Sequence, residues 1–530
     1  MSASRSPFSG CDLRADVTAG FLVFLIALPL SLGIAMASGF PPIAGVFTAI
    51  IGGIVTSFLG SARLTIKGPA AGLIVIVLGA VTELGAGDPV VGYRQALAVG
   101  VVAGVIQIVL AIARLGFVGA LMPPAVVHGM LAAIGVIIIS KQTHTLMGVV
   151  PTAKSPLGLL AEIPHSIANM NPEVLTIGAL ALVVLFGMPL LRARFVKRVP
   201  APLVVLALAI PIGIMFEFEV AHDYVWFGHF YHLDSTLLVR LPANLMAAVT
   251  RPDFSQVTSA ISLKYVLLFT LVGSIESLLS ASAVDALDPA KRAANMDKDL
   301  LATGIGNTIA SLVGGLPMIS EIVRSKANID NGATSPFSNF FHGVFLLAFV
   351  VLVPGVLQQI PLAALAAMLI YTGTRLASPR EFAHAFHIGR EQLLVFVTTM
   401  VVTLAEDLLL GVFAGLLLKL IIVLSRGAPL ASLFRSHIEQ RREGEDLVLL
   451  LRGSAVFTNL RGLTKALQHI DPDVRRVIID VENCQLIDHT TQSRLRMIAD
   501  EWQGRDLEFR GIESHRAASG HPHAERWKQR

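Results

Sequence analysis

Long stretches without a charged residue are the feature that most constrains how this chain can fold. Residues 17–62 contain no Asp, Glu, Lys or Arg, and only the turn Phe40-Pro41-Pro42 interrupts them. A helix needs about 20 mostly apolar residues to cross a bilayer, so this stretch predicts two membrane spans. Further charge-poor runs cover residues 95–113, 115–140, 174–191, 199–216, 265–284, 300–319, 392–405 and 408–418.

The composition agrees with a membrane protein and excludes other classes. Hydrophobic residues make up 54% of the 530 residues and charged residues only 15%. The net charge of +4 comes from short basic loops, so no nucleic-acid partner is expected. Two cysteines, Cys11 and Cys484, are too few for a disulfide framework. The first apolar run is followed by further spans, which predicts that it stays in the mature protein.

Basic loops predict the orientation. Arg5 and Arg14 precede the first span, a basic cluster occupies residues 192–198, and Arg426 follows the last span. These positions share one side of the membrane if both termini are cytoplasmic, as the positive-inside rule requires. We therefore expect a multi-pass protein of the cell inner (plasma) membrane, with the polar segment 217–263 outside.

The composition changes abruptly after the last span and divides the chain. We expect a cytoplasmic N-terminus over residues 1–15 and a transmembrane domain over residues 16–426. Apolar runs at residues 447–451 and 477–481 predict strands beside helices at residues 460–470 and 490–502, so residues 440–513 should form a small α/β domain. A third strand is predicted near residues 507–509, and the polar tail 514–530 is predicted to be disordered.

One apolar segment is interrupted by a proline and by charges. Pro317 is followed by Glu321, Arg324 and Lys326, whereas residues 300–320 and 331–374 contain no charged residue. Charges at membrane depth are costly and usually mark a pathway or a binding site. A helix that begins at this depth offers free N–H groups and a positive dipole end, which suit an anion.

A weak internal repeat places a second broken segment in the other half of the chain. Residues 52–60 can be laid on residues 306–314, and each copy leads into a segment broken by Gly and Pro. In the first half this segment contains Lys67, Gly68 and Pro69. Paired broken helices in matching positions indicate a transporter's binding site.

Glu276 is the only charged residue between Lys264 and Asp285. A lone carboxylate in a span must be protonated, paired or bound to a cation. Ser280 lies one helical turn later on the same face, so the two side chains are candidates for coupling to Na⁺ or H⁺. A structural ion pair between Glu276 and Lys67 or another cation is the alternative.

The ordered motifs resemble the SulP family of anion transporters. Residues 12–53 carry the family's Asp-x-x-Ala-Gly, Ala-Leu-Pro and Gly-x-Pro-Pro patterns, residues 68–71 match the start of its third span, and residues 314–317 with Arg324-Ser325 match its tenth. The resemblance implies an all-α polytopic protein of fourteen spans, built as two inverted seven-span repeats with core and gate domains. A small cytoplasmic α/β STAS domain follows, and a homodimer is implied.

The resemblance also implies the site. Two half-helix N-termini should face one anion, with Arg324 adding positive potential, unless Arg324 snorkels to the cytoplasmic end of its span. The expected substrate-binding residues are Lys67, Gly68, Pro69, Ala70, Ala71, Pro317, Met318, Ile319, Ser320, Glu321 and Arg324.

This chain departs from the common family pattern at two charges. Many members have a serine where Glu321 stands and an apolar residue where Lys67 stands. The repeat alignment places Lys67 opposite Glu321, so we expect the two to pair across the site. The segment around Glu321 resembles a branch that is sometimes fused to carbonic-anhydrase-like domains, which favours bicarbonate.

The expected function is secondary active transport of a small inorganic anion, bicarbonate or sulfate, coupled to Na⁺ or H⁺ by an elevator-type mechanism. The alternatives are a transporter of a dicarboxylate or other organic anion with the same fold, and a STAS-mediated regulatory membrane protein with vestigial transport. A cytoplasmic partner of the STAS domain is a further expectation. The spans contain no nucleophile–base pair or metal-ligand cluster, so the chain is not expected to be an enzyme. No cofactor is expected apart from a coupling Na⁺.

Overall fold

A computed structural model describes residues 12–116, 122–153, 155–191, 199–240, 246–290, 292, 294–433, 435, 437–468, 470–471, 473–500, 502 and 505–528. Two compact units share the chain: residues 1–116 with 134–376, and residues 117–133 with 377–530. The basic cluster 192–198, Cys11 and most of the predicted cytoplasmic N-terminus lie outside the described residues.

The first unit is helical, with a few short strands. Its helices are α1 (Leu13–Ala37), α2 (Pro42–Ile54), α3 (Thr56–Leu59), α4 (Ile74–Gly85), α5 (Pro89–Ile112), α6 (Pro124–Leu146), α7 (Pro156–Ala168), α8 (Pro172–Gly187), α9 (Ala201–Met215), α10 (Ala260–Leu287), α11 (Met296–Val313), α12 (Ile322–Asp330), α13 (Phe337–Leu352), α14 (Pro354–Gln358) and α15 (Leu362–Leu376). Only the part of α6 from Ile134 onwards belongs to this unit. Its strands are β1 (Ile66–Pro69), β2 (His222–Trp226), β3 (His229–Leu233) and β4 (Met318–Glu321).

Membrane-spanning character is clear from the helices themselves. Within the described ranges, seven helical segments are long and apolar enough to cross a bilayer: Leu13–Ala37, Pro42–Leu59, Pro89–Ile112, Pro124–Leu146, Pro172–Leu190, Ala260–Asp285 and Leu408–Ser425. Shorter apolar helices cover Ala71–Gly85, Ala201–Met215 and Phe337–Leu352. The chain is therefore a multi-pass membrane protein.

The first two spans begin and end where their sequences require. The Asp12 side chain accepts hydrogen bonds from the backbone N–H groups of Arg14 and Ala15, and so caps α1. Gly39 has a φ of +76°, which glycine adopts at little cost, and proline occupies the first position of α2. The predicted turn at Phe40-Pro41-Pro42 thus separates two helices.

A hairpin in the polar segment 217–263 was not anticipated. Strands β2 and β3 pair antiparallel, and Asp223 accepts a hydrogen bond from His232 at 2.7 Å. The histidines of this segment, which could suggest a metal site, instead belong to an exposed two-stranded ribbon.

The second unit joins the last membrane helices to an α/β domain. Its helices are α16 (Pro379–Ile388), α17 (Arg390–Ala405), α18 (Leu408–Ser425), α19 (Leu460–Gln468) and α20 (His489–Asp500). Its strands are β5 (His437–Glu443), β6 (Asp446–Ala455), β7 (Arg476–Asp480), β8 (Cys484–Ile487), β9 (Asp506–Arg510), β10 (His515–Ala517) and β11 (Arg526–Lys528).

The sheet of this domain follows the order β10-β11-β8-β6-β7-β9, with β5 also paired to β6. Strand β6 is parallel to β7 and β8, and β7 is parallel to β9. The predicted strands at 447–451, 477–481 and 507–509 and both predicted helices are present. The domain starts earlier than predicted, because β5 begins at His437 and pairs along the whole edge of β6.

The prediction of a disordered tail is wrong for most of its length. Strands β10 and β11 extend the sheet, and β11 pairs with β8. Glu525 is fully buried and forms ion pairs with Lys419 of α18, also fully buried, and with Arg426 at 2.6 Å. The Arg426 guanidinium lies 4.3 Å from the centre of the Trp527 ring. Lys419 of the last membrane helix and Arg426 directly after it therefore hold the tail in place.

We expect Glu525→Gln to destabilise the protein in a pH-dependent way. Burial raises the pKa of Glu525, but Lys419 and Arg426 outweigh it and hold the pKa below the usual 4.5. A depressed pKa gives stability that is present above the unfolded pKa and is lost as pH falls through the folded pKa. The melting temperature in detergent should thus fall at neutral pH, where breaking a buried pair costs about 3–5 kcal/mol.

The difference in melting temperature between the natural protein and Glu525→Gln should shrink as the pH falls below the usual pKa of 4.5. Glu513→Gln changes an exposed carboxylate of the same domain and should leave the melting temperature unchanged at every pH. A difference that is constant down to acid pH would show that the ion pairs do not hold the tail.

Candidate anion and coupling site

The two broken segments meet in the first unit. Strands β1 and β4 pair antiparallel in the register Ile66 with Glu321, Lys67 with Ser320, Gly68 with Ile319 and Pro69 with Met318. The Ala70 N–H donates to the Pro317 carbonyl oxygen at 3.1 Å and continues the pairing. A short 3₁₀ turn at Ala71–Leu73 leads from β1 into α4, and β4 leads directly into α12. The N-termini of two helices therefore lie at one crossing.

Polar side chains of neighbouring helices fix β4 in place. Asn307 of α11 accepts a hydrogen bond from the Met318 N–H at 2.6 Å, and its own amide donates to Gln107 of α5 at 2.8 Å. Ser277 of α10 accepts from the Ser320 N–H at 3.2 Å. Irregular backbone is tolerated at membrane depth when protein groups satisfy it, and here they do so.

Lys67 is satisfied by a different carboxylate from the one expected. Its ammonium donates to Asp299 Oδ2 at 2.7 Å, to Thr303 Oγ1 at 3.0 Å and to Ser320 Oγ at 2.9 Å. Lys67, Asp299, Thr303 and Ser320 are all buried. The predicted Lys67–Glu321 pair is wrong, as is the alternative pair with Glu276.

The register of the strands gives the physical reason. Lys67 lies opposite Ser320, and neighbouring residues of a strand point to opposite faces, so Glu321 points away from the Lys67 ammonium. The repeat alignment matched equivalent positions of the two halves, which are not the positions in contact. Sequence reasoning missed Asp299 because it stands beside Lys298 at the start of an apolar run and looks like a loop charge.

Arg324 is buried rather than directed to the cytoplasmic end of its helix. The side chain is 1% exposed, and none of its three guanidinium nitrogens has a hydrogen-bond partner among the described residues. It lies so close to Gly68 that a β-carbon there would collide with Nη1, which explains the glycine. His342 of α13 lies near it and is also fully buried, with both ring nitrogens lacking a partner in the described structure.

Two carboxylates lie at the start of the half-helix that α4 forms. The Glu321 carboxylate interacts with the backbone N–H of Ala71, and the Glu276 carboxylate with that of Gly72. A β-carbon on Gly72 would collide with the Glu276 carboxylate. Glu276 and Glu321 also lie close enough to interact electrostatically, and each has one buried oxygen without a partner in the part of the chain described.

The remaining site predictions are placed as follows. Ala70, Met318, Ile319 and Ser320 are buried at the crossing, and Ser280 is buried one turn from Glu276 on α10. Across the described ranges, no group of three or more His, Cys, Asp or Glu side chains is arranged to hold a metal ion.

The Lys67–Asp299 pair can be tested by a double-mutant cycle. Lys67→Met and Asp299→Asn should each destabilise the protein by about 3–5 kcal/mol, because each leaves the other charge buried and unpaired. The double variant should be more stable than the sum of the two losses predicts, by about 0.5–3 kcal/mol. Thermal unfolding of the full-length protein in detergent measures these effects.

Lys67→Met combined with Glu321→Gln is the matched control, since the structure assigns no contact to that pair. Its two effects should add. Non-additivity for Lys67 with Glu321, together with additivity for Lys67 with Asp299, would reverse the assignment.

Comparison with known proteins supports the resemblance drawn from the motifs. Residues 13–399 match the sulfate permease family. A Bacillus subtilis (strain 168) protein named "Putative sulfate transporter YvdB" is 25% identical over 498 residues, which cover 92% of this chain and 89% of that protein. The bicarbonate transporter BicA of Picosynechococcus sp. is 25% identical over 424 residues, 79% of this chain and 72% of that protein.

A solved structure extends the likeness over nearly the whole chain. The murine Solute Carrier 26 family member A9 anion transporter, in its inward-facing state, has a TM-score of 0.68 at 14% identity and covers 94% of this chain and 84% of that chain. At this identity the match shows the fold. The resemblance to a SulP transporter with a C-terminal STAS domain is confirmed. The chain belongs to the sulfate permease family, and it is a multi-pass membrane anion transporter rather than an enzyme.

Proposed function

We propose that this protein is a secondary active transporter of a small inorganic oxyanion, bicarbonate or sulfate, and that the anion binds where β1 and β4 cross. The observation that carries the proposal is Arg324, a fully buried guanidinium without a hydrogen-bond partner among the described residues. A buried cation without a hydrogen-bond partner is costly unless an anion binds to it. Planar guanidinium groups are well suited to bind oxyanions through two parallel hydrogen bonds.

The surroundings of Arg324 add further support. The start of α4 and the start of α12 both offer backbone N–H groups at the crossing, and their dipoles favour negative charge. Gly68 allows the Arg324 guanidinium to approach the backbone closely. The Ser320 hydroxyl already forms hydrogen bonds with Lys67 and Ser277. In this proposal it therefore supports the site and does not contact the anion.

The relatives leave two substrates open. YvdB is named for sulfate and BicA for bicarbonate, and both match this chain at 25% identity. Both anions present three or more oxygen atoms to N–H donors, so the same site can take either. Dicarboxylates are a third class of substrate, and the uptake experiment below includes fumarate to test them.

The proposal includes the architecture that the family resemblance implies. Fourteen spans in two inverted repeats would form a core and a gate, and the core would slide against the gate to carry the anion between the two sides. We place the protein in the inner membrane as a homodimer with both termini cytoplasmic. The STAS domain would then meet cytoplasmic partners. Coupling to a cation, assigned from the sequence to Glu276 and Ser280, completes the proposal.

Transport by purified protein in liposomes tests the assignment. Uptake of labelled bicarbonate, sulfate and fumarate should reveal which anion accumulates, with and without imposed Na⁺ and H⁺ gradients. Arg324→Gln removes the charge while keeping a polar side chain, and we expect it to reduce uptake at least about tenfold, since a hydrogen bond to a charged group contributes about 1.5–3 kcal/mol.

Lys326→Gln is the matched control, because Lys326 lies two residues further along α12, is 56% exposed and pairs with Asp330 at 3.5 Å. It should transport normally. Full uptake by Arg324→Gln would remove Arg324 from the site, and absence of uptake of all three anions by the natural protein would overturn the proposed function.

A further inference from the structure

The proposed anion site is already partly filled by the protein's own negative charge. Ala71 and Gly72 supply two consecutive backbone N–H groups at the start of the half-helix, and these groups should receive a substrate anion. Instead, the first interacts with the Glu321 carboxylate, and the second lies so close to the Glu276 carboxylate that a β-carbon there would collide with it. Arg324, the cation of the site, also interacts electrostatically with Glu321.

The two carboxylates come from separate elements and converge on one turn. Glu321 ends β4, and Glu276 lies in the middle of α10, a helix that packs against β4. Both side chains are partly exposed, although one oxygen of each is buried without a partner in the described structure. A substrate anion entering between them would meet like charge on two sides, which is unfavourable.

The charged groups around this pair can be named element by element. Strand β1 supplies Lys67 and α11 supplies Asp299, and these two charges neutralise each other. Helix α12 supplies Arg324, and α13 supplies His342 beside it. Helix α2 contributes no titratable side chain. Helix α4 carries Glu83, which pairs with Lys264. Among the described residues of these elements, and apart from the neutralised pairs, Glu276 and Glu321 thus oppose a single arginine, so the two carboxylates carry one negative charge in excess.

We propose that Glu321 is a built-in competitor for the substrate anion, and that the anion binds only when the Glu276–Glu321 pair has taken up a proton. A proton on this pair cancels the excess charge, and it weakens both the interaction of Glu321 with the Ala71 N–H and its electrostatic attraction to Arg324. The anion's oxygens then take these donors. Each anion therefore enters with one proton, and when the anion leaves the proton is released and Glu321 returns to the turn. This inference rests on the proposed function and specifies its coupling.

The proposal explains why Glu321 is present. The family resemblance puts a serine at this position in many members, and a serine can donate to an anion but cannot exclude one. With Glu321 the empty site is closed by an internal anion, so leakage of the substrate without a proton is suppressed. A substrate anion that arrives without a proton is thus excluded by repulsion from the negative charge of Glu321, and the shape of the site is not needed to exclude it.

The test measures the initial rate of anion uptake into liposomes by the full-length protein at a series of pH values. Labelled sulfate is the first probe, because its charge stays constant near neutral pH. Labelled bicarbonate is the second, at a fixed bicarbonate concentration. For the natural protein, the apparent affinity for the anion should rise about tenfold for each unit of falling pH while the pair is deprotonated, and should level off at an acid limit once the pair is protonated. An inward proton gradient should drive accumulation.

Glu321→Gln imitates the protonated carboxyl group. It should bind the anion at neutral pH with an affinity close to the acid-limit affinity of the natural protein, and should show a much weaker pH dependence. A proton gradient should no longer drive accumulation, so uptake should stop at equilibrium. Glu321→Ser, which also removes the competitor, keeps the test available if the glutamine variant does not fold, as judged by size-exclusion chromatography. Glu406→Gln, an exposed carboxylate in a turn, is the control and should behave like the natural protein.

The outcomes separate this inference from the proposed function. If the natural protein transports an anion and both Glu321 variants keep its pH dependence, the competitor model is wrong while anion transport stands. Folded Glu321 variants that lose anion affinity at every pH would also overturn it, because Glu321 would then be a required ligand. If the natural protein transports none of the tested anions, it is the proposed function that fails.

Discussion

The antiparallel pairing of β1 with β4 is the interaction on which the rest of the site depends. Two segments of the chain that leave helical geometry at membrane depth must satisfy their backbone N–H and C=O groups, and each strand does so chiefly by pairing with the other. The same pairing brings the N-terminal ends of α4 and α12 to one crossing. The proposed anion site therefore follows from a requirement of backbone hydrogen bonding, and in our proposal the side chains decide which anion binds and when.

Strand geometry then sorts the charges into two groups. Because consecutive residues of a strand face opposite ways, Lys67 and Ser320 lie on one face, where Asp299 and Thr303 receive the ammonium. Glu321 lies towards the other face with Arg324. The first group is neutral and buried, and the Lys67 ammonium donates three hydrogen bonds within it, which suits a structural role. The second group has unsatisfied polar atoms, which is expensive in a core and is typical of a functional site.

Much of this arrangement could be predicted from residue patterns, but not the partners of the charges. Two interruptions of helical structure could be predicted from Gly68, Pro69 and Pro317, since glycine and proline act on the local backbone wherever they occur. The partner of Lys67 depends on strand register and on a helix that begins more than 200 residues later, and no local pattern contains that information. The prediction of a disordered tail failed for the same reason. Its polar composition is typical of disorder, whereas Glu525 pairs with Lys419, a distant lysine in an apolar helix.

Lys419 shows how such a distant partner changes the meaning of a residue. Within a span of otherwise apolar residues it is a costly charge, and its partner Glu525 is the last acidic residue of the chain. Arg426 binds the same carboxylate and also lies 3.4 Å from Glu391 of α17. The last membrane helix of the second unit thus has its charges satisfied only when the final strand of the STAS domain is in place. The ion pairs of Glu525 therefore couple the stability of this helix to that of the domain's C-terminal strand.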